Sequence, residues 1–268
     1  MQHSELQATY IGGPTILLEL GGLRLLTDPT FDPAGSEYVL PIYTLHKTQG
    51  PALGPDDIGD VDIVLLSHDH HFDNLDRRGR EFLARAGAVL TTPAGAERLG
   101  QQATGLAPWQ SVEFPTRDGR RLRVTGTPAR HGPEDGDRGP VTGFVLALTD
   151  APDDAIYVSG DTVWYEGVAE VAWRFTVQVA ILFMGTARVR EVGPAHLTLA
   201  ATEGVEAARA FPDAVIVPVH YEGWAHFTEG REQIERAFDA AGLASRLRWL
   251  PPGQAVTLQL APVVDGDG

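Results

Sequence analysis

The sequence predicts an α/β protein in which two β-sheets pack face to face and helices cover their outer faces. Three observations favour this fold. Short apolar runs typical of buried strands recur along the 268 residues, segments of helical period interrupt them, and no linker-like stretch divides the chain. A hydrophobic fraction of 43% supplies enough apolar side chains for such a core. We therefore expect a single domain over residues 1–268.

The first half begins with a hairpin. The apolar runs TILLEL and LRLLTD are separated by Gly21-Gly22, which predicts two strands within residues 15–28. Residues 29–60 are rich in Pro, Gly and Asp and have little periodicity, so we expect a long loop that could serve as a lid. Beyond it, the patterns predict a helix at 74–86 and strands at 61–67, 88–92, 111–114 and 121–126.

The second half continues in the same style. The spacing of Ile234, Ala237, Phe238 and Ala241 predicts a final amphipathic helix. Two further helices are expected at 164–174 and 197–211. Apolar and β-branched runs predict strands at 142–148, 155–161, 177–183, 214–220 and 255–260.

Composition narrows the classes of function. A net charge of −15 disfavours nucleic-acid partners, because binding to phosphates depends on basic side chains. The lack of cysteine excludes disulfides, thiolate nucleophiles and Cys-ligated zinc. The longest apolar run, at 177–185, is too short to span a bilayer, and the polar N-terminal segment does not resemble a signal peptide. We expect a cytoplasmic protein with a small-molecule substrate.

Side chains that can bind metals follow the ends of four predicted strands. Strand ends are rigid, so they can hold ligands in place. Within positions 68–76, moreover, three histidines and three aspartates lie together. Clustered histidines repel one another when charged and lose hydration when buried, so metal binding is the favoured explanation. The residues at the four strand ends are His68, His131, Asp161 and His220.

These motifs resemble those of the metallo-β-lactamase-fold hydrolases, especially the branch with ascorbate-6-phosphate lactonase and N-acyl-phosphatidylethanolamine phospholipase D. YIGGPTILLELGGLRLLTDPTF resembles the N-terminal hairpin with its T-D-P turn, and LLSHDHHFDNLD resembles the H-x-H-x-D-H metal motif. RHG, SGDT and PVHYEG stand where the third His, the bridging Asp and the last His are expected. The resemblance covers nearly the whole chain and implies a four-layer αβ/βα sandwich with two mixed sheets.

The central motif can be aligned in two ways. From the left, His68 and His70 take the first two histidine positions, but the acidic position is then lost. From the right, His71 and Asp73 match, with one extra residue after His68, and Asn74 replaces a histidine. We prefer the second alignment because it retains the acidic residue.

The resemblance then implies two metal sites, with Asp161 bridging them. A neutral amide is a weaker ligand than imidazole, so Asn74 leaves the second site weak, filled by a harder ion such as Mn²⁺, or empty. His70 remains an alternative ligand. We expect one or two Zn²⁺ ions, with Mn²⁺ as the alternative. The expected ligands of the first site are His68, His71 and His131. Those of the second site are Asp73, Asp161 and His220.

Other residues close to the motifs are candidates for roles around the site. Asp28 could orient a ligand histidine, since such histidines usually donate their second N–H to a carboxylate, or it could be an ordinary turn residue. His196 precedes a predicted helix and could face the site or simply begin that helix. The four remaining candidates could line a pocket or belong to the core; they are Trp164, Tyr165, Trp224 and His226.

The chemistry expected of this arrangement is hydrolysis by metal-activated water, with Asp73 orienting the water or accepting its proton. No G-x-S-x-G segment offers a serine nucleophile. The resemblance implies a lactone or phosphodiester substrate. Two alternatives remain open: a non-catalytic metal- or ligand-binding protein with a degenerate second site, and an RNA-processing nuclease, which the acidic charge disfavours.

Overall fold

The computed structural model describes residues 5–135 and 138–260. The first half folds, in chain order, as β1 (Glu5–Gly12), β2 (Thr15–Leu20), β3 (Leu23–Thr27), β4 (Glu37–Val39), β5 (Thr44–His46), α1 (Pro55–Ile58), β6 (Val61–Leu65), α2 (Arg77–Phe82), β7 (Ala86–Thr91), α3 (Pro93–Leu99), β8 (Ala103–Gly105), β9 (Ser111–Pro115) and β10 (Arg121–Pro128). The second half folds as β11 (Thr142–Leu148), β12 (Ala151–Val158), α4 (Glu166–Arg174), β13 (Val177–Phe183), α5 (Ala201–Ala210), β14 (Val215–Val219), α6 (Arg231–Ala240) and β15 (Ala255–Gln259).

The strands form two large mixed sheets. The first has seven strands in the order β15-β1-β2-β3-β6-β7-β8, and the second has six in the order β14-β13-β12-β11-β10-β9. In the first sheet β3, β6, β7 and β8 run parallel, whereas its other neighbouring strands are antiparallel. In the second sheet only β12, β13 and β14 run parallel. Strands β4 and β5 form a separate hairpin.

Three apolar clusters define the layers. The central cluster lies between the sheets and joins Leu18 and Ile63 of the first to Leu146 and Ile181 of the second. A second cluster packs α4, α5 and α6 onto the outer face of the second sheet, and a third packs α1 and α2 onto the outer face of the first. The predicted four-layer αβ/βα sandwich with two mixed sheets is therefore confirmed.

Local chemistry explains where several elements begin and end. The β2–β3 hairpin forms as predicted, with Gly21 and Gly22 at φ values of 57° and 77° that side chains disfavour. The helix expected over 74–86 is shorter, because the Asp76 carboxylate accepts a hydrogen bond from Gly79 N at 2.8 Å and caps α2 there. The final turn before β7 is a 3-10 helix at Leu83–Arg85.

The helix expected over 197–211 also begins late, at Ala201. Residues before it stay extended because they pair with another loop: Leu197 N donates to Ala187 O, and Ala187 N donates to the Thr198 hydroxyl. These bonds compete with helix formation and hold the segment beside the cluster of histidines.

Three elements have no counterpart among the expectations, namely β1, α3 and β8. The segment 29–60 is also more ordered than a plain loop, since it contains the β4–β5 hairpin and α1. Tyr38 and Leu45 of that hairpin pack against the buried Trp224. The hairpin therefore has an apolar anchor, although its service as a lid stays a prediction.

None of the helices in the described parts of the chain is long and apolar enough to cross a membrane.

Candidate metal centre

Three histidines converge at one edge between the sheets. The distance from His68 Nε2 to His71 Nδ1 is 2.9 Å, and that from His131 Nε2 to His71 Nδ1 is 3.1 Å. The outer nitrogens of two of these rings are occupied. His131 Nδ1 donates to the Leu197 carbonyl at 2.8 Å, and His68 Nδ1 lies 2.9 Å from the Ser67 hydroxyl, whose proton goes to a carboxylate. Both Nε2 atoms are thus left with free lone pairs directed at His71.

Two of these histidines, His68 and His71, are held in the form that can bind a metal. Burial lowers the pKa of His68 well below its ordinary value, and its histidine neighbours lower it further. Burial, with help from His131, lowers the pKa of His71 to about 3. Since only the neutral imidazole is a metal ligand, His68 and His71 are available at neutral pH.

A second group joins two carboxylates to a histidine. His220 Nε2 lies 3.4 Å from Asp161 Oδ1 and 3.6 Å from Asp73 Oδ2. Asp161 also faces the histidine group, with its Oδ2 3.7 Å from His131 Nε2. In two sets of three residues, one potential ligand atom per residue lies within 4.8 Å of the others. The first set is Asp73, Asp161 and His220; the second is His68, His131 and Asp161. Asp161 therefore stands between two groups of potential ligands.

The spacing in this second group suits a shared cation better than hydrogen bonds. Ligand atoms roughly 2.0–2.2 Å from a tetrahedral zinc ion lie about 3.3–3.6 Å apart. Both ring nitrogens of His220 and the Oδ2 atom of Asp161 are buried and have no hydrogen-bond partner in the described residues. Buried polar atoms are rarely left in this condition, so these residues fit a metal ion.

The two carboxylates beside His220 favour a positive charge at this position, and the backbone there is strained. Burial alone would lower the pKa of its ring, but Asp161 and Asp73 outweigh that effect and raise it to about 9. Its backbone has a φ of 55°, a left-handed conformation that non-glycine residues seldom adopt. The amide of His220 donates to Gly13 O at 2.7 Å, which ties the end of β14 to the first sheet. Strain of this kind is typical of functional positions.

Asp28 supports the site indirectly, through hydrogen bonds from Ser67 and Asn74. Its carboxylate accepts hydrogen bonds from the amide and hydroxyl of Ser67, each at 2.6 Å, and from Asn74 Nδ2 at 3.0 Å. The Ser67 hydroxyl then contacts His68, so no direct bond joins Asp28 to a ring. Burial raises the pKa of Asp28 to about 7, against the opposing effect of these hydrogen bonds. We did not predict Ser67, whose only sequence signal is its place directly before His68.

The side chains of Asn74 and His70 each donate hydrogen bonds to neighbouring oxygen atoms. Asn74 Nδ2 also donates to Asp161 Oδ1 at 3.2 Å, so the amide nitrogen faces the carboxylates, and the amide oxygen has no partner among the described residues. His70 Nε2 donates to the Arg138 carbonyl at 3.0 Å. One ligand atom of His70 still lies within 4.8 Å of those of His68 and His71.

The remaining candidates divide between the site and its surroundings. His226 lies at the site, with Nε2 3.0 Å from Asp73 Oδ2, and Trp224 is buried beside it. His196 instead pairs with Glu203 at 2.9 Å at the start of α5. Trp164 and Tyr165 pack against the cluster between the second sheet and its helices.

The fold and this group of side chains together define the class of protein. A four-layer αβ/βα sandwich with histidines and aspartates gathered at one edge of its sheets is the arrangement of a metallo-β-lactamase-fold hydrolase. The chain belongs to the family described as the beta-lactamase superfamily domain, whose model matches residues 23–221. It is thus a metal-dependent hydrolase of the metallo-β-lactamase superfamily.

Similar proteins agree with this assignment. The chain is 24% identical over 259 residues to the UPF0173 protein YddR of Bacillus subtilis (strain 168), covering 93% of this chain and 98% of the relative. It is 24% identical to the UPF0173 metal-dependent hydrolase PAE2160 of Pyrobaculum aerophilum, covering 89% and 94%. These names support the superfamily, but they do not single out the lactonase and phospholipase branch.

Solved structures show the same fold. A possible metal-dependent hydrolase from Veillonella parvula DSM 2008 has a TM-score of 0.79 at 21% identity, covering 94% of this chain and 99% of that one. The isothiocyanate hydrolase from Delia radicum gut bacteria has a TM-score of 0.77 at 21% identity, covering 95% and 100%.

Proposed function

We propose that this protein hydrolyses an ester-type bond of a small molecule, a lactone or a phosphodiester, at a centre of one or two zinc ions. The observation that carries the proposal is the position of Asp161 between a group of histidines and a second group of carboxylates and histidine. An arrangement of this kind would offer nitrogen and carboxylate ligands to two cations, which could activate a water for hydrolysis.

The donor set favours zinc. His68, His71 and His131 offer three imidazole nitrogens for a first ion, and imidazole suits zinc well. The second group is richer in carboxylate, from Asp73 and Asp161, and manganese is therefore the alternative there. When bound, the metal lowers the pKa of a water to ~7 and polarises the bond to be broken.

The protein's own residues then have distinct tasks. Asp73 stays ionised because, although burial would raise its pKa, the neighbouring rings of His220 and His226 hold that pKa well below its usual range. It can therefore orient the attacking water and accept its proton. Ser67 and Asp28 fix the ring of His68, and the Leu197 carbonyl fixes that of His131.

The function is tested by metal analysis combined with a substrate panel. Purified protein loaded with zinc or manganese should turn over lactones or phosphodiesters, and an isothiocyanate is included because a similar structure is an isothiocyanate hydrolase. Bound metal without turnover of any compound in the panel would instead support a binding protein, and turnover of the isothiocyanate alone would contradict an ester-type substrate. Cleavage of RNA with a steep salt dependence would support a nuclease.

Removing one histidine from each group should strip the metal. The double variant His131→Ala/His220→Ala should lose most of its bound zinc, because each substitution removes an imidazole that faces the shared Asp161. Elemental analysis after dialysis measures this loss. His196→Ala is the control, since that histidine pairs with Glu203 outside the group. Full metal occupancy in the double variant would show that the ligands are misassigned.

His71 and His70 should differ in importance. His71→Ala should weaken zinc binding by more than the 10–100-fold that loss of an outer partner typically costs, because His71 Nδ1 lies within 3.1 Å of two other ring nitrogens. His70→Ala should have a smaller effect, since its Nε2 proton is held by a backbone carbonyl. Competition with a chromogenic chelator gives both affinities. The reverse ranking would favour the left alignment of the motif.

A further inference from the structure

We propose that His226 is a direct ligand of the second metal ion, so that this site has two imidazoles and two carboxylates although position 74 is an asparagine. The inference rests on the proposed function, because it assigns a residue to the second site of that centre. Its four ligands would be Asp73, Asp161, His220 and His226.

The side chain of Asn74 is hydrogen-bonded to two carboxylates. Its amide nitrogen donates to both Asp28 and Asp161, at 3.0 and 3.2 Å, and the residue is fully buried. Only the NH₂ end of an amide can donate to two carboxylates, so this end must face them. An amide binds a metal through its oxygen, and here the nitrogen, not the oxygen, is the atom that faces Asp161. Asn74 therefore holds the carboxylates in position, and the second site needs another neutral donor.

His226 lies beside Asp73, a candidate ligand of the second site. Its Nε2 lies 3.0 Å from Asp73 Oδ2, and His220 Nε2 lies 3.6 Å from the same oxygen. Two imidazole nitrogens thus flank one carboxylate oxygen. A nitrogen and an oxygen that share a proton can also share a cation. Through Asp73 Oδ2, His226 adjoins the group of potential ligands formed by Asp73, Asp161 and His220.

Aromatic side chains hold the His226 ring in place. Phe227 packs against both histidine rings, with centroid distances of 4.7 Å to His220 and 4.7 Å to His226. Trp224 lies at a centroid distance of 6.2 Å from His226. The side chain of His226 is only 11% exposed. Ligands held by packing lose little freedom on binding, so this ring is preorganised for a metal.

The backbone around His226 is fixed as well. Ala225 N donates to the His46 carbonyl at 3.0 Å, and Arg188 N donates to the His226 carbonyl at 2.9 Å. The first bond ties the segment to the end of β5 and the second to the loop after β13. A histidine that only covered the entrance of a pocket would not require support on both sides.

Two substitutions separate a ligand from a simple hydrogen-bond partner of Asp73. His226→Ala removes both roles. His226→Gln keeps an N–H that can donate to Asp73 but removes the imidazole. If His226 is a ligand, both variants should fall from two zinc ions per chain to one after dialysis against a mild chelator. Cobalt-loaded protein should show a matching change in its visible absorption spectrum.

His70→Ala should keep two ions, because that ring faces Arg138. Retention of two ions by His226→Gln would overturn the inference and leave His226 as a positioning residue for Asp73. A wild-type protein that binds only one ion at saturating zinc would also overturn it. Neither outcome would refute hydrolysis, which the substrate panel tests separately. Circular dichroism of both variants checks that they are folded.

Discussion

Asp73→Asn should lower the rate of hydrolysis by about 10²–10⁴-fold while leaving the protein folded, because a positioned general base contributes about that much. Its Oδ2 atom lies within 3.6 Å of the nitrogens of His220 and His226, and these two rings keep the carboxylate ionised. An amide can fill the same space but cannot accept the proton of the attacking water.

The measurement is kcat with the best substrate of the wild-type protein, at saturating metal so that weaker metal binding does not mask the chemistry. Asp69→Asn is the matched control in the same motif, because the Asp69 carboxylate is paired with Arg98 and lies outside the two ligand groups. The control should retain nearly full activity. An undiminished rate in Asp73→Asn would remove Asp73 from the mechanism.

Asp76→Ala should lower the free energy of unfolding by about 3–5 kcal/mol, the usual cost of leaving one partner of a buried ion pair alone. Asp76 is fully buried, and Lys47, which is 4% exposed, lies 2.8 Å from its Oδ2. Burial lowers the pKa of Lys47, and the charge of Asp76 opposes this. The carboxylate also accepts hydrogen bonds from the backbone N–H groups of Phe31, Asp32 and Gly79.

Urea-induced unfolding measures this effect. Asp118→Ala is the control, since Asp118 belongs to an exposed pair with Arg120 and such pairs contribute at most ~1 kcal/mol. Adding Lys47→Met to Asp76→Ala should recover part of the loss, because no unpaired buried charge then remains. A loss below about 1 kcal/mol in Asp76→Ala would contradict the importance of this buried pair.

Much of the fold could be predicted because local pattern and tertiary environment agree. The strands at 142–148 and 177–183 have the predicted bounds, since every one of their residues is buried and their sequences are mostly apolar. Strand β1 went unpredicted because its exposed Glu5 and Gln7 alternate with buried residues and dilute the apolar signal. It forms because β2 and β15 supply hydrogen bonds on both of its edges.

For the site, the sequence by itself determined the chemistry that is available: which strand ends carry His or Asp, and that the motif at 68–76 is rich in side chains of the kinds that bind metals. It could not decide between His70 and His71, because neighbouring residues differ only in the direction of their rings. In the structure, His71 faces His131, and His70 faces the Arg138 carbonyl.

Only the tertiary structure decided which distant residues meet. Asp73 and His226 are 153 positions apart, and no local pattern links them. The amide of Asn74 faces Asp28 and Asp161 because the sheets bring these carboxylates to one edge. Periodicity and turn chemistry act over a few residues, whereas the site depends on how β6, β12 and β14 end against one another, and the packing of the two sheets sets that arrangement.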